Sequence, residues 1–468
     1  MSENPLQSRR VALDVYAAAG RGGRSLDDAL REHKGFARLA PRDRAFVRNL
    51  VATAFRHRGQ IEALLAGFVS RPLPQSEALI ADIVHLGLAQ LLFLETPPHA
   101  AVDTSVRLAE TSERARMKGF VNAVLRRAGR EGAAVVARQD AARLNTPDWL
   151  WRSWVQAYGP AQAHDIAAAH LKEAALDISV KADPEKWARD LNAIVLPTGS
   201  LRRLLVSPPP LRGRARVGGD QQEAPPALTP LPNPPPQGGR ESESRLISEL
   251  PGFAEGAWWV QDAAAALPAR LLGEVTGRSV ADLCCAPGGK TLQLAAAGAE
   301  VTAVDVSAAR LKLVQDNLAR TGLVAQTIAA DVLTWKPGRQ FDAVLLDAPC
   351  TATGTLRRHP DAAWHKRATD VARLAQLQAH LLDAAAALVR PGGTLVYAVC
   401  SLQPEEGARQ IEAMLARHGG FAPAPVAAGE LPGLEAAIAA EGWVRTLPCQ
   451  WPERGGLDGF FIARLRRN

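Results

Sequence analysis

Two of the five cysteines in this 468-residue chain sit where a strand should hand over to a loop: Cys350 in DAPCTATG and Cys400 in VCSLQPEE. An isolated cysteine is most often a small buried hydrophobe. That reading weakens at Cys400, because Pro404, Glu405 and Glu406 read as the opening of a helix, whose N-terminal dipole lowers a thiol pKa from roughly 8.5. Such a thiol is partly ionised at neutral pH and acts as a soft nucleophile. The other cysteines do not suggest a metal centre: Cys284 and Cys285 are adjacent, Cys449 stands alone, and no pair has the two-residue spacing of a zinc knuckle. No metal is expected. Five irregularly spaced cysteines also make no disulfide framework, which fits a reducing compartment.

A glycine-rich turn, CCAPGGK, follows the apolar run RSVADL. Gly288 and Gly289 permit a tight turn with close backbone approach, and the helix that follows presents free N–H groups. The turn is neither a GxGxxG fingerprint nor a Walker A motif, so NAD and ATP lose ground. Three later strand-like runs end in carboxylates: Asp305, 15 residues beyond Lys290, then Asp331 and Asp347. A carboxylate at the second strand end can accept hydrogen bonds from both hydroxyls of a ribose. Three acidic strand ends suit a ligand carrying an amino group, a ribose and an adenine better than one rich in phosphates; S-adenosylmethionine has those groups. The structural alternative for each aspartate is a helix cap.

A thiol nucleophile beside a methylsulfonium donor suggests a definite reaction. Carbon 5 of cytosine is a poor nucleophile, but thiolate addition at carbon 6 makes carbon 5 enamine-like and able to take a methyl group. Addition is easier if ring nitrogen 3 is protonated or hydrogen-bonded, a role open to Asp347. A second group must then help to remove the carbon 5 proton and release the enzyme. Cys350 and Cys400 supply two thiols for these two tasks, and the residues by themselves do not assign them.

The elements that must position these groups follow from periodicity. From about Pro251, strand-type runs (RSVADLCC, VTAVDV, QTIAADV, FDAVLLDAP, TLVYAVCS, GFFIARL) alternate with helical ones (TLQLAAAG, AARLKLVQDNLARTG and a long ARLAQLQAHLLDAAAALV that PGG should end). Continuous apolar strands between helices predict an α/β unit whose mostly parallel sheet is covered on both faces. Ligands of such sheets sit at the carboxyl ends of the strands, where the residues above fall. Residues 1–140 instead carry apolar positions at helical spacing (Val11, Leu13, Val15; Ile83, Val84, Leu86, Leu88, Leu91, Leu92) and should be all-helical. Between them, about 141–250, NTPDWLWRSWVQAYG and DISVKADPEKWARDL read as a connecting subdomain. Near residues 203–245 lies a proline-rich stretch: 10 of the 33 prolines fall within 207–236. Such a segment cannot bury enough apolar surface to offset its ordering entropy and is expected to be a disordered insertion; a polyproline ligand is the sharper alternative.

Composition bounds the class. With 47% apolar and 22% charged residues the chain has an ordinary globular balance, and its length calls for two to four domains. No window is apolar enough for a membrane span and the start, MSENPLQSRR, has no signal-peptide core, so a cytoplasmic protein without a membrane is expected. Of the net charge of +7, an excess of 6 lies in residues 1–131, where 20 Lys plus Arg face 14 Asp plus Glu. Arg42, Arg44, Arg48, Arg56 and Arg58, then Arg114, Arg116, Lys118, Arg126 and Arg127, form either a stripe for RNA phosphates or a solvated face.

Taken jointly, CCAPGGKT, LLDAPCTATGTLRRHPD, YAVCSLQPEE, the closing DGFFIARL and the upstream WWVQDAAA resemble the motif set of the two-cysteine RNA cytosine-5 methyltransferases, the Sun/RsmB/NOP family, over most of residues 251–468. The stretch from about Arg10 to Arg130 resembles the NusB-like helical RNA-binding domain. The resemblance implies a Rossmann-like S-adenosylmethionine-dependent domain at 251–468 behind a NusB-like domain, acting on small-subunit ribosomal RNA. It implies Cys400 as nucleophile and Cys350 in product release. It further implies cofactor contacts by Cys284, Cys285, Ala286, Pro287, Gly288, Gly289, Lys290, Asp305, Asp331 and Asp347. The proline-rich insertion is foreign to that pattern. The expected protein is thus a monomeric rRNA cytosine-5 methyltransferase. The rivals are a transfer-RNA cytosine-5 methyltransferase and a non-catalytic, antitermination-like RNA-binding factor, which the intact Cys350, Cys400 and glycine turn oppose.

Overall fold

The computed structural model describes residues 5–94, 96–203 and 247–468. Its first part is helical, and no strand precedes Leu176 among the described residues. Helix Ala78–Leu92 buries Ile80, Ile83, Val84, Leu86, Leu88 and Ala89, residues from nearly every side of its surface, so it belongs at the centre of a bundle. Around it pack Pro5–Arg21 with Val11, Val15 and Ala19, Pro41–Arg56 with Val47, Leu50, Val51 and Ala54, and Pro98–Glu110 and Lys118–Arg127. The arginine stripe is largely occupied within the protein. Arg48 pairs with Asp27, Arg58 with Glu62, Arg114 and Arg116 with Glu77, Lys118 with Glu110 and Arg127 with Glu131.

The tryptophan-rich text forms helices Asp148–Tyr158 and Pro160–His170, whose Leu150, Trp154, Ala163 and Ile166 make a small core shared with Leu356 and Leu402. A four-stranded antiparallel sheet follows, built from β1 (Leu176–Val180), β2 (Ile194–Val195), β3 (Leu201–Arg203) and β4 (Trp258–Val260) in the order β2-β3-β1-β4. β4 lies past residue 251 in the chain but pairs with β1, so this sheet takes strands from both sides of the insertion. Apart from Arg203, which ends β3, the expected insertion near 203–245 lies outside the described residues.

The main sheet contains β5 (Ser279–Leu283), β6 (Glu300–Asp305), β7 (Gln326–Ala329), β8 (Phe341–Asp347), β9 (Val389–Val399), β10 (Phe421–Pro423), β11 (Val444–Thr446) and β12 (Phe460–Arg467). Strands β7-β6-β5-β8-β9 are parallel in that spatial order; β12 pairs antiparallel with β9, and β10 and β11 pair with β12. This is the expected α/β architecture, with helices on both faces of apolar strands. Chain order reverses at β5, which lies between β6 and β8; the crevice of such a sheet opens at that switch point. One sequence expectation needs correction. Helix Ala368–Leu388 ends before the PGG run, which lies inside β9 where the register with β8 slips, Phe341 facing Val389 and Ala343 facing Thr394. Gly392, at φ 70°, takes the left-handed turn of this bulge.

A buried charge network ties the two sheets together. Arg202 on β3 donates from Nε and Nη2 to the two oxygens of Asp177 on β1, both at 2.6 Å, with neither side chain exposed. Arg202 Nη1 also donates to the carbonyl of Arg454, and Asp177 accepts from the Ala263 N–H. Nearby, Arg357 and Arg358 donate to Asp458, and Arg358 to Asp262 at 2.7 Å. Removing one partner of such a pair strands the other charge in a dry interior, a cost of roughly 3–5 kcal/mol. Asp177→Ala is therefore expected to lower the unfolding free energy in urea by about that amount; a loss under about 1 kcal/mol would show that the pair is not sealed from water.

Candidate active site

Parallel pairing of β8 with β9 sets the site. Asp347, the last residue of β8, lies opposite Ala398 on β9, so Cys350, three residues past β8, and Cys400, one past β9, leave neighbouring strands side by side. Their sulfurs are 3.4 Å apart. The loop between them is fixed by the Ala348 N–H on the Ala398 carbonyl and the Gly354 N–H on the Cys400 carbonyl, both 2.9 Å. The contact to Cys400, reinforced by burial and by Glu406, holds the Cys350 thiol well above its ordinary pKa. Either sulfur can be the donor in this contact.

The helix expected behind Cys400 is different in kind. Pro404–Glu406 is a single 3₁₀ turn, and the α-helix Ala408–Arg417 begins only after Gly407. The N-terminus of an extended helix, which was expected to act on Cys400, is therefore not adjacent to it. Glu406 instead turns inward, fully buried.

On the other side of β8, at the switch point, β5 delivers Cys284 and the glycine turn. Cys284 adopts a positive φ of 59° and Gly288 one of 105°. A Cβ on Gly288 would lie 3.0 Å from Val314 Cγ1, so the turn requires glycine for both conformation and space. Helix Gly289–Ala296 starts there. Burial, with Asp305 and Asp347 nearby, pushes the Cys284 thiol up to about 12, and burial raises Cys285 as well; neither is a nucleophile at neutral pH.

The three strand-end acids part company. Asp305, buried, accepts from the N–H groups of Ala286 (3.1 Å) and Ser307 (2.9 Å), bracing the turn from the adjacent strand. Asp331 is exposed, two residues beyond the end of β7, and accepts from the Leu333 N–H in a local turn. Asp347 accepts from Lys290 Nζ at 2.7 Å. Burial works against the Lys290 charge, but Asp347 outweighs it and raises the ammonium above its usual value. Asp347, expected to serve ring nitrogen 3, thus stands in the structure as one half of an ion pair with Lys290. The pair sits between the glycine turn and the cysteines.

Sequence reasoning overlooked Asp282 and Gln378, and gave Glu406 only the role of opening a helix. Asp282, on β5, is fully buried; Oδ2 accepts from Thr291 Oγ1 at 2.5 Å and Oδ1 has no partner. Burial pushes its carboxyl up to about 7. The signal was present as an acid inside the apolar run SVADL. Among the described residues, no cluster of three His, Cys, Asp or Glu could hold a metal ion and no helix is long and apolar enough to cross a membrane.

The donor set at the switch point fits S-adenosylmethionine. Carboxylate oxygens on Asp305 and Asp347 keep lone pairs beyond those used, Asp282 leaves one oxygen unsatisfied, and the glycine turn opens directly into helix Gly289–Ala296.

Comparison with known proteins matches residues 269–466 to the family described as 16S rRNA methyltransferase RsmB/F, and residues 6–130 to the NusB family. The chain is 35% identical to "Ribosomal RNA small subunit methyltransferase B" of Klebsiella pneumoniae subsp. pneumoniae, covering 98% of each chain. It is also 35% identical to the protein of that name in Vibrio cholerae, over 95% of this chain and 94% of the other. The crystal structure of PH0851 superposes with a TM-score of 0.71 at 21% identity, covering 100% of both chains. That of NSun6 from Pyrococcus horikoshii with SFG superposes at 0.53 and 21% identity, over 69% of this chain and 98% of that one. These two show the shared fold.

A carboxyl whose folded pKa is raised costs stability as pH climbs from its unfolded value near 3.9 through the folded value, because the folded state binds the extra proton. For Asp282 that window runs from about 4 to about 7. Asp282→Asn is expected to match the wild type at pH 4 and to exceed it by a few kcal/mol at pH 8, compared by urea melts; equal pH slopes would refute it.

Proposed function

Because the chain belongs to the 16S rRNA methyltransferase RsmB/F family, we propose that it transfers a methyl group from S-adenosylmethionine to carbon 5 of a cytosine in small-subunit ribosomal RNA, through a bond between Cys400 and the base. The observation that carries this reading is the 3.4 Å contact between two free thiols at the carboxyl edge of the sheet, beside the Lys290–Asp347 pair.

The residues divide the work as follows. Cys400 Sγ, its proton released to solvent, adds to carbon 6, and the displaced ring electrons activate carbon 5. S-adenosylmethionine supplies the electrophilic methyl group on its sulfonium. Asp347 accepts from the exocyclic amino group, and Lys290 donates its proton toward the ring as charge builds there. The Gly288–Gly289 turn, Cys284 to Lys290, Asp305 and Asp331 hold the donor, with Asp305 at the ribose. After methylation the carbon 5 proton must leave; the electrons of that C–H bond re-form the 5,6 double bond and expel Cys400 as thiolate. Cys350 suits the base. The contact that keeps it protonated is to Cys400, and this influence falls away once Cys400 is bonded to carbon, so Cys350 then releases its proton to solvent and its thiolate takes the carbon 5 proton. The helical domain docks the RNA, with most of the excess positive charge of the chain.

Purified protein, labelled S-adenosylmethionine and unmodified small-subunit rRNA are expected to yield labelled 5-methylcytosine. Cys400→Ala should reduce turnover by about 10³-fold or more. Cys350→Ala should instead accumulate a protein–RNA adduct that survives a denaturing gel. Full turnover in Cys400→Ala, or label on another atom of the base, would overturn the mechanism; transfer RNA as the preferred acceptor would overturn the substrate.

A further inference from the structure

Glu406 is a fully buried carboxylate that the mechanism above does not use. In so dry a place its oxygens need partners, and they have four. Oε1 accepts from the Thr351 N–H at 2.9 Å and from Gln378 Nε2 at 3.0 Å. Oε2 accepts from the Thr351 hydroxyl and from Ser401 Oγ at 2.5 Å. The partners are not scattered: Thr351 follows Cys350 and Ser401 follows Cys400. Gln378, on the long helix Ala368–Leu388, spans the same place, since its Nε2 also donates to the carbonyl of Pro349 at 2.8 Å, the residue before Cys350. Thr351, Ser401 and Gln378 are all fully buried. The Glu406 backbone is anchored in turn, its carbonyl accepting from Tyr397 Oη on β9 at 2.6 Å.

We propose that Glu406 is the positioning residue that holds the Cys350 and Cys400 thiols in contact, by binding the residue after each cysteine to one carboxylate. The inference rests on the two-thiol reading above. β8 and β9 bring the loops to the same neighbourhood, and past their last paired residues the backbone is tied by isolated bonds, Ala348 N–H to the Ala398 carbonyl and Gly354 N–H to the Cys400 carbonyl, which flank the cysteines without fixing the residues after them. The Glu406 carboxylate adds that tie: each oxygen engages the Cys350 loop, and one also engages the Cys400 loop. An amide of the same shape would present an N–H₂ group to a pair of hydroxyl donors and would hold only part of this set. A misplacement near 1 Å at reacting atoms is enough to cost about 10²-fold in rate. Glu406 also bears on Cys350 electrostatically, since its negative charge disfavours the Cys350 thiolate.

The test uses the full-length enzyme with small-subunit rRNA and S-adenosylmethionine, with wild type and Cys400→Ala run alongside. Glu406→Gln is expected to lower kcat by about 10- to 100-fold while both KM values stay within about threefold. Alkylation of Cys350 by iodoacetamide should shift its pH midpoint downward in the same variant, a change that mere loss of folded protein would not produce. Thr351→Val and Ser401→Ala each remove one donor and should lower kcat by several-fold; combined with Glu406→Gln they should add little. If Glu406→Gln fails to fold, Thr351→Val and Ser401→Ala carry the test on their own. A folded Glu406→Gln enzyme with wild-type kcat and an unshifted alkylation profile, or wild-type kcat in both single-donor variants, overturns the inference. If Cys400→Ala is active, the two-thiol reading fails; if it is inactive while Glu406→Gln matches wild type, the inference alone fails.

Discussion

The in-register parallel pairing of β8 and β9 is the constraint on which the site depends. It places Asp347 opposite Ala398 and lets Cys350 and Cys400 emerge together. A slip of one residue would move one sulfur by about 3.3 Å along the strand and turn every side chain of that strand to the other face. Burial opposes the slip. Leu345 and Val396 face one core while Val344, Leu346, Leu395 and Tyr397 face the other, and none is exposed. Because both faces are core, a slip would exchange these side chains between two packed interiors at roughly 1–3 kcal/mol for each misfit, and several misfits approach the whole stability of a typical domain. The register that fills the two cores is the register that joins the thiols.

The segment that begins at Cys350 is held from outside the sheet as well. The Leu26 N–H donates to Asp361 Oδ2 at 2.9 Å, Trp364 Nε1 to the Phe55 carbonyl at 2.8 Å, and Arg56 Nη2 to the Arg357 carbonyl at 3.0 Å. His359 Nδ1 lies 3.3 Å from Asp27. The His359 contact pulls the Asp27 carboxyl well below its normal range, and Asp27 raises His359 against the effect of burial. Across the cleft, Tyr158 Oη on a tryptophan-rich helix donates to the Leu402 carbonyl at 2.5 Å. The N-terminal bundle thus grips the Cys350 segment and the connecting helices grip the Cys400 segment.

Much of this was legible in the sequence because period and punctuation agree. The parallel strands come out as expected since most are largely apolar runs that end at or just before an acid or a cysteine, and the bundle since its apolar residues keep helical spacing. The misreadings share a cause. PGG and PEE were read as helix boundary signals, yet each owes its conformation to a partner distant in sequence: the bulge to β8, the 3₁₀ turn to Thr351, 55 residues before Glu406. Asp282 stands out as an acid in an apolar run, but its role, like that of Gln378, is set by neighbours that only the fold supplies. The arginine stripe was ambiguous for the same reason; only the fold reveals that Arg114 and Arg116 face Glu77.

The strand-end acids show why a structural and a functional reading of one residue need not compete. A carboxylate offers about four lone-pair sites. Asp305 spends one oxygen on the Ala286 N–H and the other on the Ser307 N–H, which fixes its plane and ties the glycine turn to β6. Each oxygen keeps a second site, already aimed by the first bond. A carboxylate free of such bonds would have to lose rotamer freedom on meeting a ligand, whereas Asp305 has lost it in folding. The same holds at Asp347, oriented by Lys290, and at Glu406, which spends all four sites on protein and has none left for a ligand. Counting unspent lone pairs therefore separates the acids that can serve a ligand from the one that can only serve the protein, a distinction that spacing along the chain does not carry.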